Sequence, residues 1–95
     1  MASYELVFIV SPEVADDEIT NSVNKVSEMI GQLGGSVTEV SHWGKKKFTY
    51  PIKRFTEGNY VLAKVELAPA SIKKLDSNLR MSGDVLRHLL VRAVG

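Results

Sequence analysis

The chain has 95 residues, 44% of them hydrophobic, with twelve Lys and Arg against eleven Asp and Glu for a formal net charge of +1, and no cysteine. That length suits one domain with one modest core, and the lack of cysteine excludes a disulfide framework, a thiolate metal site and a cysteine nucleophile. The near-neutral total conceals a division: residues 1–40 carry seven acids against Lys25 alone and residues 41–95 eleven bases against four acids, so the halves stand at −6 and +7 and the molecule has an electrostatic direction.

Residues 3–10 are rich in Val, Ile, Phe and Tyr and end at Ser11 and Pro12, which is strand chemistry. The apolar run has no basic region before it and no small-residue cleavage site, and acids follow it closely, so a soluble intracellular protein is expected. No later segment approaches the length of a membrane span. From about Asp16 to Leu33 the period changes: Ile19, Val23, Val26, Ile30 and Leu33 recur every three or four residues, with Asp16, Asp17 and Glu18 placed near the positive end of the helix dipole. Gly34 and Gly35 stop that helix. The next strand is long, about Ser36 to Tyr50, and Gly44 marks a bulge or twist within it. Pro51 to Glu57 reads as a connector, Gly58 as a turn and Asn59 to Leu67 as the third strand. Pro69 fits the first turn of a second helix with Ile72, Leu75 and Leu79 on one stripe. Met81 to Asp84 turns the chain into a last strand from Val85 to about Val94.

The order is βαββαβ, the ferredoxin-like or split βαβ pattern of an α+β fold. Right-handed crossovers place both helices on one face of a four-stranded antiparallel sheet and leave the other face uncovered. Strand parity then sorts the residues. Leu6, Phe8 and Val10, with Val61, Ala63, Val65, Leu67, Leu86, His88 and Leu90, should meet the helices. Val7, Ile9, Tyr60, Leu62, Leu89 and Val91 should lie outside with Glu5, Lys64, Glu66 and Arg87. That outer set is apolar enough to mark a protein interface, unless the second strand or the chain end folds over it; parity alone leaves both readings open.

The segment His42 to Arg54, HWGKKKFTYPIKR, places five cations among four aromatic or imidazole rings. Lys45, Lys46, Lys47, Lys53 and Arg54 can neutralise phosphates, and Trp43, Phe48, Tyr50 or His42 can offer a face to an unpaired base. A lysine triplet is more often a solvated loop or hairpin than a binding site, and Trp43 or Phe48 more often a core residue than a stacking platform. Catalytic readings find little support. His42 and His88 sit in no metal-site pattern, the acids at residues 16–18 are explained by the helix dipole, and Ser11 and Ser41 lack a nucleophile-elbow context. A small acyl-phosphate hydrolase shares the strand order but needs a cationic anion loop after the first strand, and Ser11 to Ala15 holds no cation. An RNA-recognition module stacks bases on aromatics of its central strands, whereas EGNYVLAKV offers only Tyr60 on its outer face. A regulatory or ligand-sensing module assembling by sheet edges remains the alternative to a nucleic-acid role.

Tyr4-Glu5 opening the first strand with Pro12 after it, Trp43-Gly44 followed by lysines and Tyr50-Pro51-Ile52, Gly58 to Glu66, Leu79-Arg80 and the strand from Val85 to Arg92 together resemble the bacterial small-subunit ribosomal protein S6 family over essentially the whole chain. The Gly44 to Ile52 segment is the most specific part. The resemblance implies a single ferredoxin-like domain over residues 1–95, cytoplasmic and ribosomal, with no catalytic residues, no cofactor, no metal, no small-molecule substrate and no membrane partner. It implies binding to the central domain of small-subunit rRNA together with the small basic ribosomal protein S18. Carried over by position, Tyr4, Lys45, Lys46, Lys47, Tyr50, Lys53, Arg80, Arg87 and Arg92 face the RNA, and Val7, Ile9, Tyr60, Leu62, Leu89 and Val91 face the protein partner. Some members carry a charged C-terminal tail modified with glutamate; with the chain ending at Gly95, no such feature is expected. Phe48 and Thr49 stand where the family often has Leu and Ala, which alters packing and leaves the cations untouched.

Overall fold

The structure, a computed structural model, describes residues 1–93. Strand β1 (Ala2–Val10) leads through a short 3-10 turn (Asp16–Glu18) into helix α1 (Ile19–Gln32). Strands β2 (Ser36–Ile52) and β3 (Phe55–Leu67) follow, then a second 3-10 turn (Pro69–Ser71), helix α2 (Ile72–Met81) and strand β4 (Val85–Arg92). The strands form one antiparallel sheet in the order β2-β3-β1-β4, which is the ferredoxin-like arrangement expected from the element order. The expected end of the last strand at Val94 lies outside the described residues.

The core is the inner face of that sheet closed by the two helical stripes. Leu6, Phe8 and Val10 from β1 and Val61, Ala63, Val65 and Leu67 from β3 are all buried, as are Val23, Val26 and Ile30 of α1 and Leu75 and Leu79 of α2. Each fully buried aliphatic or aromatic side chain contributes on the order of 1.5 to 3 kcal/mol relative to exposure, so the alternation in β1 and β3 decides which face the helices cover. At the end of α1, Gly34 takes φ +83°. Its N–H donates to the Gly31 carbonyl at 3.0 Å and that of Gly35 to Ile30 at 3.0 Å, the reciprocal pair that satisfies a helix's last carbonyls. The loop before β4 is tied to α1 by Asp84, whose carboxylate accepts from Ser22 Oγ at 3.0 Å and pairs with Lys25 at 3.4 Å.

The largest departure from the sequence reading is the β2–β3 connection. Residues 51–57 are not a connector: β2 continues to Ile52 and β3 begins at Phe55, with Ile52 opposite Phe55, so the two strands form one long hairpin closed by Lys53 and Arg54 alone. Both turn residues have positive φ, 47° and 70°. A two-residue turn demands that conformation to match the twist of its strands, and Asn-Gly meets the demand with least strain. Lys and Arg each hold it at a cost on the order of 1 to 2 kcal/mol. Pattern reading missed the hairpin because neither residue announces a turn.

Candidate nucleic-acid and partner interface

Gly44 at φ +83° coincides with a register shift between His42 and Gly44, so β2 carries one extra residue there, Trp43. The bulge re-aims the strand as expected at such a position, and Trp43 stays 45% exposed. Past it, Lys45, Lys46 and Lys47 stand opposite Asn59, Gly58 and Glu57 on the outermost strand. Lys46 extends its ammonium over two rings, 5.5 Å from the Trp43 centroid and 6.0 Å from that of Tyr60, within the range where a cation is attracted to a π face. Cations and rings thus meet at one corner of the open face.

Of the other residues proposed for RNA, Tyr50 is 78% exposed near the hairpin tip, Lys53 forms half of the turn, Arg80 lies in the last turn of α2, and Arg87 and Arg92 are exposed on β4. Lys45, Lys46, Lys47, Lys53, Arg87 and Arg92 pair with no acid among the described residues, whereas Arg80 pairs with Asp76 at 2.9 Å. Tyr4 needs correction. It shares the inward parity of Leu6 and Phe8, is 8% exposed and belongs to the core, so its ring offers no stacking face. Arg54, one of the five cations of the basic segment though not of the set carried over by resemblance, sits over Phe55 at 5.1 Å and reaches Glu13 at 3.9 Å.

Register places Val7 between Leu62 and Leu89, and Ile9 between Tyr60 and Arg87, on the face away from the helices. Leu89 and Val91 are 62% and 50% exposed, while Val7, Tyr60 and Leu62 are half-buried. Ile9 departs from the expected set of exposed residues: it is on the predicted face but only 7% exposed. The reason lies in Gly58, where an added Cβ would come within 2.6 Å of Ile9 Cγ2 and 3.0 Å of Phe48 Cζ. The far end of β2 therefore leans over that corner, with the Phe48 ring 6.1 Å from Tyr60. Part of the face is folded over and part stays open. Beyond the apolar centre, Glu5, Glu39 and Glu66 surround Lys64 on the same face, with Lys64 paired to Glu39 at 3.2 Å. One end of the open face is acidic and the other, with Lys46 and Arg87, is basic.

On the helix side His88 lies opposite Phe8 in β4, half-buried, and its Nε2 is 2.6 Å from Asp76 on α2. That hydrogen bond is the main cause holding the Asp76 carboxyl below its ordinary value; burial opposes the shift, and the Arg80 charge assists it. The cluster fastens α2 to β4. Among the described residues no three His, Cys, Asp or Glu side chains lie together in a way that could hold a metal ion, and no helix is long and apolar enough to cross a membrane.

Comparison with known proteins adds three findings. Residues 3–92 match the family model described as Ribosomal protein S6. The small ribosomal subunit protein bS6 of Clostridioides difficile is 42% identical over 94 residues, covering 98% of this chain and 100% of the relative. That of Moorella thermoacetica is 38% identical over 92 residues, covering 97% and 94%. The crystal structure of 30S ribosomal protein S6 from Thermotoga maritima superposes with a TM-score of 0.88 at 29% identity, over 97% of this chain and 87% of that one.

Proposed function

Because the chain belongs to the ribosomal protein S6 family, a structural and non-catalytic constituent of the small ribosomal subunit, we propose that it binds the central domain of small-subunit rRNA jointly with the small basic ribosomal protein S18. Its place is the cytoplasmic ribosome. The observation that carries the RNA half is the row of cations without acid partners on β2, at the hairpin turn and on β4, beside an exposed Trp43. Such groups bind the phosphate backbone by releasing its condensed counterions. Exposed rings at the same corner add a stacking face for an unpaired base.

The partner half rests on the open face. An apolar centre of Val7, Leu62, Leu89 and Val91 flanked by Glu5, Glu39 and Glu66 suits a basic protein, drawn in by charge and held by apolar burial. Tyr60 and the small exposed part of Ile9 border it. Both ligands then meet one domain, and the RNA site spans the two proteins. Purified protein, S18 and a transcript of the central domain test this directly. The two proteins together should retain the transcript with a steep salt dependence, and either alone far less; a transcript left unbound by the mixture would sink the proposal.

A further inference from the structure

We propose that the free protein pairs with a second copy of itself through the open face of the sheet, the two copies related by a two-fold axis that runs across the strands over Val7. The inference goes beyond the reading of rRNA and S18 as ligands. It concerns chains that hold no S18, and only the last arm of its test rests on S18 using the same face.

The register of the sheet sets the axis. Leu62, Val7 and Leu89 stand side by side in one row on that face, and Ser41 continues the row on β2. Charge is balanced about this row. Counted along the strands, Arg87 lies two positions to one side of it and Glu5 two positions to the other. Lys46 lies four positions to the first side, the bulged Trp43 not counted, and Glu66 four positions to the second. All four side chains are exposed. A half-turn about the row therefore brings Glu5 of one copy to Arg87 of the other and Glu66 to Lys46, while Leu62, Val7 and Leu89 meet their own counterparts. Each ion pair forms twice, as an interface between identical surfaces requires. The members of each pair come from neighbouring strands, about 4.8 Å apart, and facing sheets pack about 10 Å apart, a gap that two long side chains span. A half-turn about the strand direction would instead lay Glu5 on Glu5, and like charges brought together oppose association.

Shape agrees with charge. The basic end is built up, with the Phe48 ring 6.1 Å from Tyr60 and the end of β2 leaning over Ile9. The acidic end is hollow, a recess of about 380 Å³ lined in part by Glu5, Thr38, Lys64 and Glu66. The same half-turn sets the built-up end of each copy over the hollow of the other and carries Lys64 to the ring of Tyr60, a cation over a π face. Burial of the central row supplies the attraction, since Leu89 is 62% exposed in the single chain. A basic partner satisfies the acidic end alone; a second copy satisfies both ends.

Sedimentation equilibrium of the purified protein from about 1 μM to 1 mM should show monomer passing to dimer, and a wild type that stays monomeric throughout overturns the proposal. Glu5→Lys combined with Glu66→Lys makes both ends basic, and Lys46→Glu combined with Arg87→Glu makes both acidic. Each double variant should unfold near the wild-type midpoint, because the residues are exposed, and alone should dimerise at least about tenfold more weakly than wild type. Mixed, the two should form a dimer with one copy of each, a rescue that loss of fold cannot produce. A mixture no tighter than its components overturns the two-fold, and double variants that pair as tightly as wild type move the contact to another surface, such as the β4 edge. Added S18 should dissolve the wild-type dimer. A dimer that persists with S18 bound to it would leave the self-pairing standing and place S18 away from this face.

Discussion

Asp76 shows how much one half-buried carboxylate can organise when it has two partners. Its carboxyl is held below the ordinary value chiefly by the His88 hydrogen bond, with Arg80 assisting. A depressed carboxylate pKa means the unfolded chain takes up the proton first as pH falls. The stabilisation is therefore present above the unfolded value near 3.8 and lost as pH drops through the lower folded value. Asp76→Asn should accordingly remove part of the acid sensitivity, seen as a shallower loss of denaturation midpoint as pH falls below about 3.8. At the same scale, burial separates two leucines that composition cannot. Leu6 is wholly buried and Leu89 is mostly exposed, so Leu6→Ala should cost about 2 to 5 kcal/mol. Leu89→Ala in the free protein should stay within about 0.5 kcal/mol. Chemical denaturation of the two variants reads both values, and a larger loss at Leu89 would reverse the assignment of faces.

Gly58 governs the long hairpin as an element. The close approach of Ile9 and Phe48 to its missing side chain lets the end of β2 lie across the sheet. Gly58→Ala should then push Phe48 outward, raise the exposure of Ile9 and destabilise the fold by about 1 to 3 kcal/mol, as overpacking does; a midpoint equal to wild type would show that the hairpin yields freely. This element also marks where sequence reading stopped. The order βαββαβ, both helical stripes, the inward parity of β1 and β3 and the Gly44 bulge were legible, because each follows from a local period or a residue's backbone preference. The two-residue turn was not, since its φ values are imposed by strand pairing on residues that do not favour them. Tyr4 was carried over to the RNA side by resemblance although its parity is that of Leu6 and Phe8, and Ile9 lies on the face parity gives it but is covered there. Parity states which face a side chain occupies, but what lies over that face comes from elsewhere in the chain. The cations at residues 45–47 and 53 were legible as a set, whereas the reach of Lys46 over the rings of Trp43 and Tyr60 depends on how β2 and β3 pair.

For the whole molecule, charge on the open face divides into two ends, acidic around Lys64, where Glu5 and Glu39 come from the acidic half of the sequence and Glu66 from the basic half, and basic around Lys46 and Arg87. Leu62 lies between them. Leu62→Asp should leave the isolated fold largely intact, because the side chain is half-buried on the outer face, yet weaken association with S18 by burying an unpaired carboxylate. RNA binding by the pair should fall in step, and calorimetry with purified S18 checks the first link: undiminished affinity in the folded variant would move the partner to a sheet edge. Lys45, Lys46 and Lys47 replaced together by Ala should reduce RNA affinity and flatten its salt dependence, with folding nearly unchanged. A slope equal to wild type would falsify their contact with phosphate. The position of these lysines has another effect. β2 is an outermost strand of 17 residues, whose unpaired backbone groups invite a second copy to add itself, and length makes the invitation stronger. A bulge followed by three consecutive ammonium groups repels such a copy. The three ammonium groups therefore disfavour edge-to-edge stacking of free chains, and a protein stripped of them should lose solubility whether or not it binds RNA.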